Sequence, residues 1–285
     1  MKSPRAPGDF RSPSCWHALG TSVRGASHQR TGRPNQDAMG IRSLAQGVAV
    51  ALSDGHGDPR SFRSDRGAAF AVEEALNALE DVATRAPELS FAQFKRAVEE
   101  GFPRDLVWRW RRRVAADREA DPLEEGALLR PQSPRYPEDT PYGATVLGAL
   151  GTEAYLLLFQ LGDGDLLAVR HGKVFLPLPS DPRCFANVTT SLCLPDAALD
   201  FRTALLPRHE EWPSLLLLAT DGYSNAFAGR ESFLQTGSDF ATLLQEHPGE
   251  AGRVTVQEAL PTWLHEASTQ GSGDDVTVAL LVRDP

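Results

Sequence analysis

The sequence predicts an α+β fold built mainly on antiparallel sheet, and three observations predict it. Short apolar runs pair across tight turns: Ala38–Leu44 meets Val48–Leu52 across Gln46-Gly47, which is hairpin spacing. From residue 144 onward the runs Ala144–Leu150, Ala154–Leu161, Leu166–Arg170 and Lys173–Leu176 alternate with turns at Gly151-Thr152-Glu153, Gly162-Asp163-Gly164-Asp165 and His171-Gly172, the pattern of an antiparallel meander. Stretches with apolar residues at three- and four-residue steps separate these runs and read as helices.

In chain order, Met1–Ser14 carries basic residues among prolines without the apolar core of a secretory signal, so it is expected to be a flexible lead-in. Cys15–Val23 is β-like, and Arg24–Asp37 is a polar loop with three arginines and a histidine before its acid, either an anion-binding lip or solvated charge. Gly67–Val82 is a helix with Ala68, Ala71, Val72, Ala75, Leu76 and Leu79 on one face. Ser90 caps the next helix, which Pro103 is expected to kink or end. Arg104–Arg113 (RDLVWRWRRR) is a basic amphipathic segment, either an anionic-partner site or a solvated face with packed tryptophans. Asp121–Pro141, with five prolines, is a loop. Pro177–Asp200 is irregular and long enough to serve as a flap. Strands at Phe201–Leu206 and Leu215–Thr220, helices at Arg230–Glu246 and Val254–Thr269, and a strand at Val276–Val282 complete the chain. Strands and helices interleave throughout, so residues 15–285 are expected to form one domain.

Composition narrows the function. The 285 residues are 41% hydrophobic and carry a formal net charge of −9, which disfavours wholesale nucleic-acid binding. No run approaches the roughly 18 apolar residues of a membrane span. Three scattered cysteines, Cys15, Cys184 and Cys193, suggest a reducing, cytoplasmic setting and neither a disulfide framework nor a zinc site.

Val48–Leu52 runs into Ser53-Asp54-Gly55-His56-Gly57, where glycines flank an imidazole and follow an acid at a strand end. Alone, that is a polar turn. In the predicted hairpin, however, Asp37 begins one strand and Asp54 ends the next, so both carboxylates fall at one sheet edge. Asp221 follows the apolar run Leu215–Ala219, and Asp274-Asp275 precedes the last strand. Carboxylates gathered this way repel unless cations neutralise them, and an oxygen-only donor set without cysteine suits Mg²⁺ or Mn²⁺. Two such ions about 4 Å apart activate water for in-line attack on phosphorus. The residues therefore read as a metal-assisted phosphate-ester hydrolase.

Six segments in order, Asn35-Gln36-Asp37-Ala38, Ser53-Asp54-Gly55-His56-Gly57, Gly143-Ala144-Thr145, Leu161-Gly162-Asp163, Ala219-Thr220-Asp221-Gly222 and Gly273-Asp274-Asp275-Val276-Thr277-Val278, resemble the serial motifs of PP2C-type metal-dependent protein serine/threonine phosphatases, bacterial branch. The resemblance spans about residues 20 to 283. It implies a four-layer α-β-β-α sandwich with two central, mainly antiparallel sheets flanked by helix pairs. It also implies two Mn²⁺ or Mg²⁺ ions, with a third in some relatives. Asp54 would bridge the pair, Asp37 and the Gly55 carbonyl would serve one ion, and Asp221 and Asp274 the other. His56 would protonate the leaving oxygen, and Asp163 is taken as a structural turn acid. The substrate would be a phosphoprotein, a cognate kinase or its targets would be partners, and the chain would act as a monomer. Two departures matter: Gly32 stands where many relatives carry a phosphate-clasping arginine, leaving Arg33, Arg30 or His28 to supply that charge, and Gln36 stands where many have Glu. A weakly catalytic phosphopeptide-binding module and a small-phosphometabolite phosphatase are the competing readings.

Overall fold

The computed structural model describes residues 15–123, 137–184, 189–208 and 211–284. The lead-in at residues 1–14 lies outside them, as do parts of the 121–141 loop and of the 177–200 segment.

Ten strands form two five-stranded sheets in which every named pairing is antiparallel. One sheet is ordered β2 (Asp37–Leu44), β3 (Gly47–Asp54), β4 (Val146–Thr152), β5 (Tyr155–Leu161) and β8 (Arg202–Pro207). The other is ordered β1 (Trp16–Val23), β10 (Val276–Arg283), β9 (Leu215–Ala219), β6 (Asp165–Arg170) and β7 (Lys173–Phe175). Alternation along each strand explains why the central runs are apolar throughout. Val48, Val50 and Leu52 of β3 meet Leu216, Leu218, Ala279 and Leu281 of the facing sheet. Ala49 and Ala51 turn outward to α2 (Ser64–Arg85), α3 (Phe91–Arg96) and α4 (Phe102–Ala120). The opposite outer face, with Leu215, Leu217, Val278 and Leu280, packs under α7 (Arg230–Glu246) and α8 (Glu250–Ala267). The four-layer sandwich is thus a consequence of two sheets, each buried on both sides.

Several expectations are corrected. The Arg24–Asp37 segment is not all loop: it contains α1 (Ala26–Thr31), ended by Gly32 at φ 75°. Pro103 neither ends nor interrupts the helical run. A π turn at Ala97–Gly101 sits immediately before it and shifts the hydrogen-bond register, so the missing proline N–H falls in the first turn of α4. The meander is two hairpins in different sheets, because the chain leaves β5 through Gly162 at φ 105° and enters β6 across the sandwich. Of the two tryptophans in the basic segment, Trp110 is packed, donating Nε1–H to the Gly67 carbonyl at 2.9 Å, whereas Trp108 is 55% exposed. Within Pro177–Asp200, Ser191, Leu192 and Cys193 are buried and α5 (Ala197–Asp200) follows. The Ser90 cap is present as a capping box with Gln93.

Candidate metal centre

The site lies where the two sheets open at one end. Asp37 and Asp54 are direct cross-strand partners in the β2–β3 pair. From the facing sheet, Asp221 begins the short helix α6 (Asp221–Ser224) directly after β9, and Asp274 lies just ahead of β10. The carboxyls of Asp54 and Asp221 share a hydrogen bond, and Asp37 and Asp274 act electrostatically on Asp54. Four of the predicted acids therefore converge. The turn that makes this possible needs glycine at position 55, where a Cβ would lie 2.6 Å from the Ser64 carbonyl oxygen and 2.7 Å from that of Gln36. Thr145 clamps the strand end: its hydroxyl accepts from Asp54 N–H at 3.1 Å and its own N–H donates to the Asp54 carbonyl at 2.8 Å.

Asp37 is held across the sandwich. Its Oδ2 accepts from the hydroxyls of Thr220 and Thr277, each at 2.7 Å, and both threonines are fully buried. Since Thr277 gives its proton to Asp37, Ser22, 2.8 Å away, serves as donor to Thr277. Burial pushes the Asp37 carboxyl up to about 8, against the two threonine hydrogen bonds and with the repulsion of Asp275 and Asp274. Asp54 is driven well above the usual carboxylate range by burial, then by Asp37 and Asp221. Asp221 is raised to about 6, by burial first and then by Asp163.

These shifts have a testable sign. Asp37 and Asp221 hold protons in the metal-free folded state that the unfolded chain, with carboxylates near 3.8, releases earlier. Stability is therefore greatest at low pH within this window and is lost as pH rises through about 6 and then about 8. Chelator-treated protein is expected to melt at falling temperature between pH 5.5 and 8.5, with a slope of at most about 1.4 kcal/mol per pH unit for each proton. Asp37→Asn should flatten the upper part of that slope; an unchanged slope would contradict the assignment.

The two neighbouring acids at the last strand have different jobs. Asp275 is buried and saturated: Oδ1 accepts from Gly25 N–H at 2.6 Å, and Oδ2 from Gln36 N–H at 2.6 Å and from His28 Nδ1 at 2.8 Å. Asp274 is exposed, and among the described residues its carboxylate accepts a hydrogen bond from the Asp275 N–H alone, at 2.9 Å through Oδ1. Asp275 thus ties the loop before α1, α1 itself and the start of β2 to the strand that carries Asp274.

His56 is fixed by its Nε2, 2.7 Å from the Ser191 hydroxyl, which in turn donates to the Ala144 carbonyl at 3.1 Å. That order makes Nε2 the donor and leaves Nδ1 without a partner among the described residues. Burial lowers the His56 pKa, opposed by Asp163 and Asp58. Gly143 is needed beside it, since a Cβ there would be 2.6 Å from the His56 Cδ2.

The three basic candidates separate. His28 is buried against Asp275, Arg30 is exposed and reaches the Ser27 hydroxyl at 3.3 Å, and Arg33 extends to the Gly57 carbonyl at 3.4 Å, beside the Asp54–Gly57 turn. Asp163, expected as a turn acid, also acts electrostatically on both Asp221 and His56. Its signal was present, an acid after glycine at the end of β5. Ser191, Thr220 and Asn225, whose Nδ2 donates to Asp221 Oδ2 at 3.1 Å, carried no pattern that singles them out.

No helix is long and apolar enough to cross a membrane among the described residues, and all three cysteines are free. No curated protein matches the chain in sequence. In structure it is similar to a bacterial serine phosphatase at TM-score 0.60 and 15% identity, over 94% of this chain and 98% of that one. It is also similar to serine/threonine phosphatase Stp1 from Staphylococcus aureus at TM-score 0.60 and 14% identity, over 100% of both chains. The catalytic domain of the serine/threonine phosphatase PstP, solved with two manganese ions, matches at TM-score 0.54 and 18% identity over 95% and 99%. The protein phosphatase 2C family model matches residues 24–265, most of the chain, and the chain therefore belongs to the protein phosphatase 2C family of metal-dependent protein serine/threonine phosphatases.

Proposed function

We propose that the chain hydrolyses phosphoserine and phosphothreonine in proteins, using two Mn²⁺ or Mg²⁺ ions held by Asp37, Asp54, the Gly55 carbonyl, Asp221 and Asp274. The observation that carries this reading is the gathering of carboxyl groups from both sheets, three of them raised by burial first and then by neighbouring acids, a state that divalent cations relieve. The fit is supported by the all-oxygen donor set and by Gln36 Oε1, which is buried and unpartnered among the described residues beneath the Asp54–Gly57 turn. When bound, such ions lower the pKa of water between them and neutralise phosphate charge.

The chain's own residues do the rest. Thr220 and Thr277 orient Asp37, and Asn225 orients Asp221. Arg33 is the basic group assigned to the phosphate, in place of the arginine absent at Gly32. Hydrolysis forms a P–O bond from water and breaks the one to the seryl or threonyl oxygen. His56, its Nε2–H held by Ser191, acts as the imidazolium: its Nδ1 takes up a proton and gives it to that departing oxygen, leaving the neutral ring.

This role has a leaving-group signature. His56→Gln is expected to lower kcat on a phosphothreonine peptide by about 10²–10³. Turnover of p-nitrophenyl phosphate, whose phenolate leaves without a proton, should fall by less than about tenfold. Equal losses on both would remove the general-acid assignment. Manganese-dependent hydrolysis of phosphopeptides in preference to sugar phosphates tests the substrate class. A flap role for Pro177–Asp200 belongs to the same proposal, supported by the Ser191–His56 hydrogen bond that ties this segment to the site.

A further inference from the structure

On α4, Arg104, Trp108 and Arg112 stand at four-residue steps and are exposed, forming one stripe along the helix. Other α4 arginines are neutralised: Arg109 pairs with Asp81 and Asp105, Arg113 with Glu73, and Arg118 with Glu138 and Asp139. Among the described residues, Arg104 and Arg112 have no acidic partner, and the Arg112 guanidinium lies 4.6 Å from the centroid of the Trp108 ring. Beside the stripe is a cavity of about 420 Å³ whose walls include Val107, Trp108, Ala115, Pro195 and Ala198, with no acidic side chain among them. A basic, aromatic face of this kind stands out on a chain of net charge −9.

We infer that this face docks an acidic segment with an apolar anchor, and that the segment belongs to the phosphoprotein substrate. The spacing sets the pattern. Steps of four residues on a helix advance about 6 Å, close to two residues of extended chain. Alternate residues of an extended peptide face one side, so acid-x-apolar-x-acid matches Arg104, Trp108 and Arg112, with the apolar side chain seated in the cavity. The position suits a substrate. Arg111 Nη2 donates to the Leu194 carbonyl at 2.7 Å, joining α4 to the segment whose Ser191 hydroxyl contacts His56. Leu194 is three positions after Ser191, at most about 10 Å of chain. A single polypeptide can therefore reach both the docking face and the site. The cavity favours a peptide side chain over a flat anionic surface such as a membrane.

Only the identity of the partner as substrate rests on the phosphatase reading; the docking chemistry is tested without catalysis. A labelled, unphosphorylated peptide with the core Glu-Ser-Leu-Ser-Glu, and a scrambled peptide with the core Glu-Glu-Ser-Ser-Leu, are titrated with the full chain at low ionic strength by fluorescence anisotropy. The alternating peptide should bind at least about tenfold more tightly, and Arg104→Glu with Arg112→Glu, or Trp108→Ala, should each remove that advantage. The same core placed four to twelve residues from a phosphothreonine should lower KM about tenfold with kcat unchanged, while p-nitrophenyl phosphate kinetics stay the same in all variants. Equal binding of the two peptides, indifference to the substitutions, or preference for phosphatidylserine vesicles over either peptide would overturn the proposal. Peptide binding with no manganese-dependent phosphatase turnover would instead overturn the function proposed above and leave the docking face standing.

Discussion

Asp54→Asn is expected to abolish phosphatase activity, by at least about 10³ in kcat/KM, while making the metal-free protein more stable. The two effects share one cause. Asp54 lies against Asp37, Asp221 and Asp274, and its carboxyl is held far above its ordinary range by burial and by those neighbours. An uncharged amide of the same shape removes the repulsion and can still hydrogen-bond Asp221, so melting of chelator-treated protein should rise by about 1 kcal/mol or roughly 2–4 °C. The same amide removes the central donor for two cations, so the Mn²⁺-induced rise in melting temperature expected of the native protein should shrink or vanish. Thermal melts with and without Mn²⁺, set beside turnover, check both halves. Retained manganese stabilisation with lost activity would mean that Asp54 serves the chemistry without holding metal.

The largest loss of stability is expected from Asp275→Ala. Its two carboxylate oxygens accept from Gly25 N–H, Gln36 N–H and His28 Nδ1, all in the interior. Leaving buried donors unsatisfied costs about 1–3 kcal/mol each, so the variant should lose roughly 3–6 kcal/mol. Because the bonds join the start of β2 to the approach of β10, Asp37 and Asp274 should drift apart and manganese affinity fall as well. Asp275→Asn keeps one acceptor and the shape, and should recover much of the stability. Asp274→Asn makes the reverse pattern: near-native stability, with a loss of manganese affinity. Chemical denaturation and metal titration of the three variants separate brace from ligand. If Asp275→Asn loses metal binding while stable and Asp274→Asn does not, the two roles are exchanged.

Local chemistry made much of this protein legible. The β2–β3 hairpin followed from two apolar runs and a short break between them, although the turn itself is Ala45-Gln46 with Gly47 already in β3, and it placed Asp37 opposite Asp54 because antiparallel pairing aligns the start of one strand with the end of the other. Acids at the ends of buried strands, Asp221 after β9 and Asp274 before β10, carried the same signal, since a strand that is apolar throughout turns polar only where it enters or leaves the core. Ser90 announced its capping box by the Gln93 three residues on. Pro103 misled because its effect depends on hydrogen-bond register, which the π turn just ahead of it alters. The crossing from β5 to β6 was invisible because the same glycine turn serves a hairpin or a change of sheet, and only packing across the sandwich chooses.

What the sequence by itself determined is the set of elements, the α+β class and the identity of the clustered acids, all of which follow from periodicity and from polar residues at strand ends. Tertiary structure decided their division of labour. Asp275 became a brace and Asp274 stayed open because three donors from 239 to 250 residues away converge on one carboxylate and not on the other. Asp163 came to act on Asp221, Ser191 took hold of His56, and Arg33 reached the Gly57 carbonyl for the same reason: contacts between sequence-distant groups are fixed by how two sheets pack face to face, and no local pattern encodes that distance.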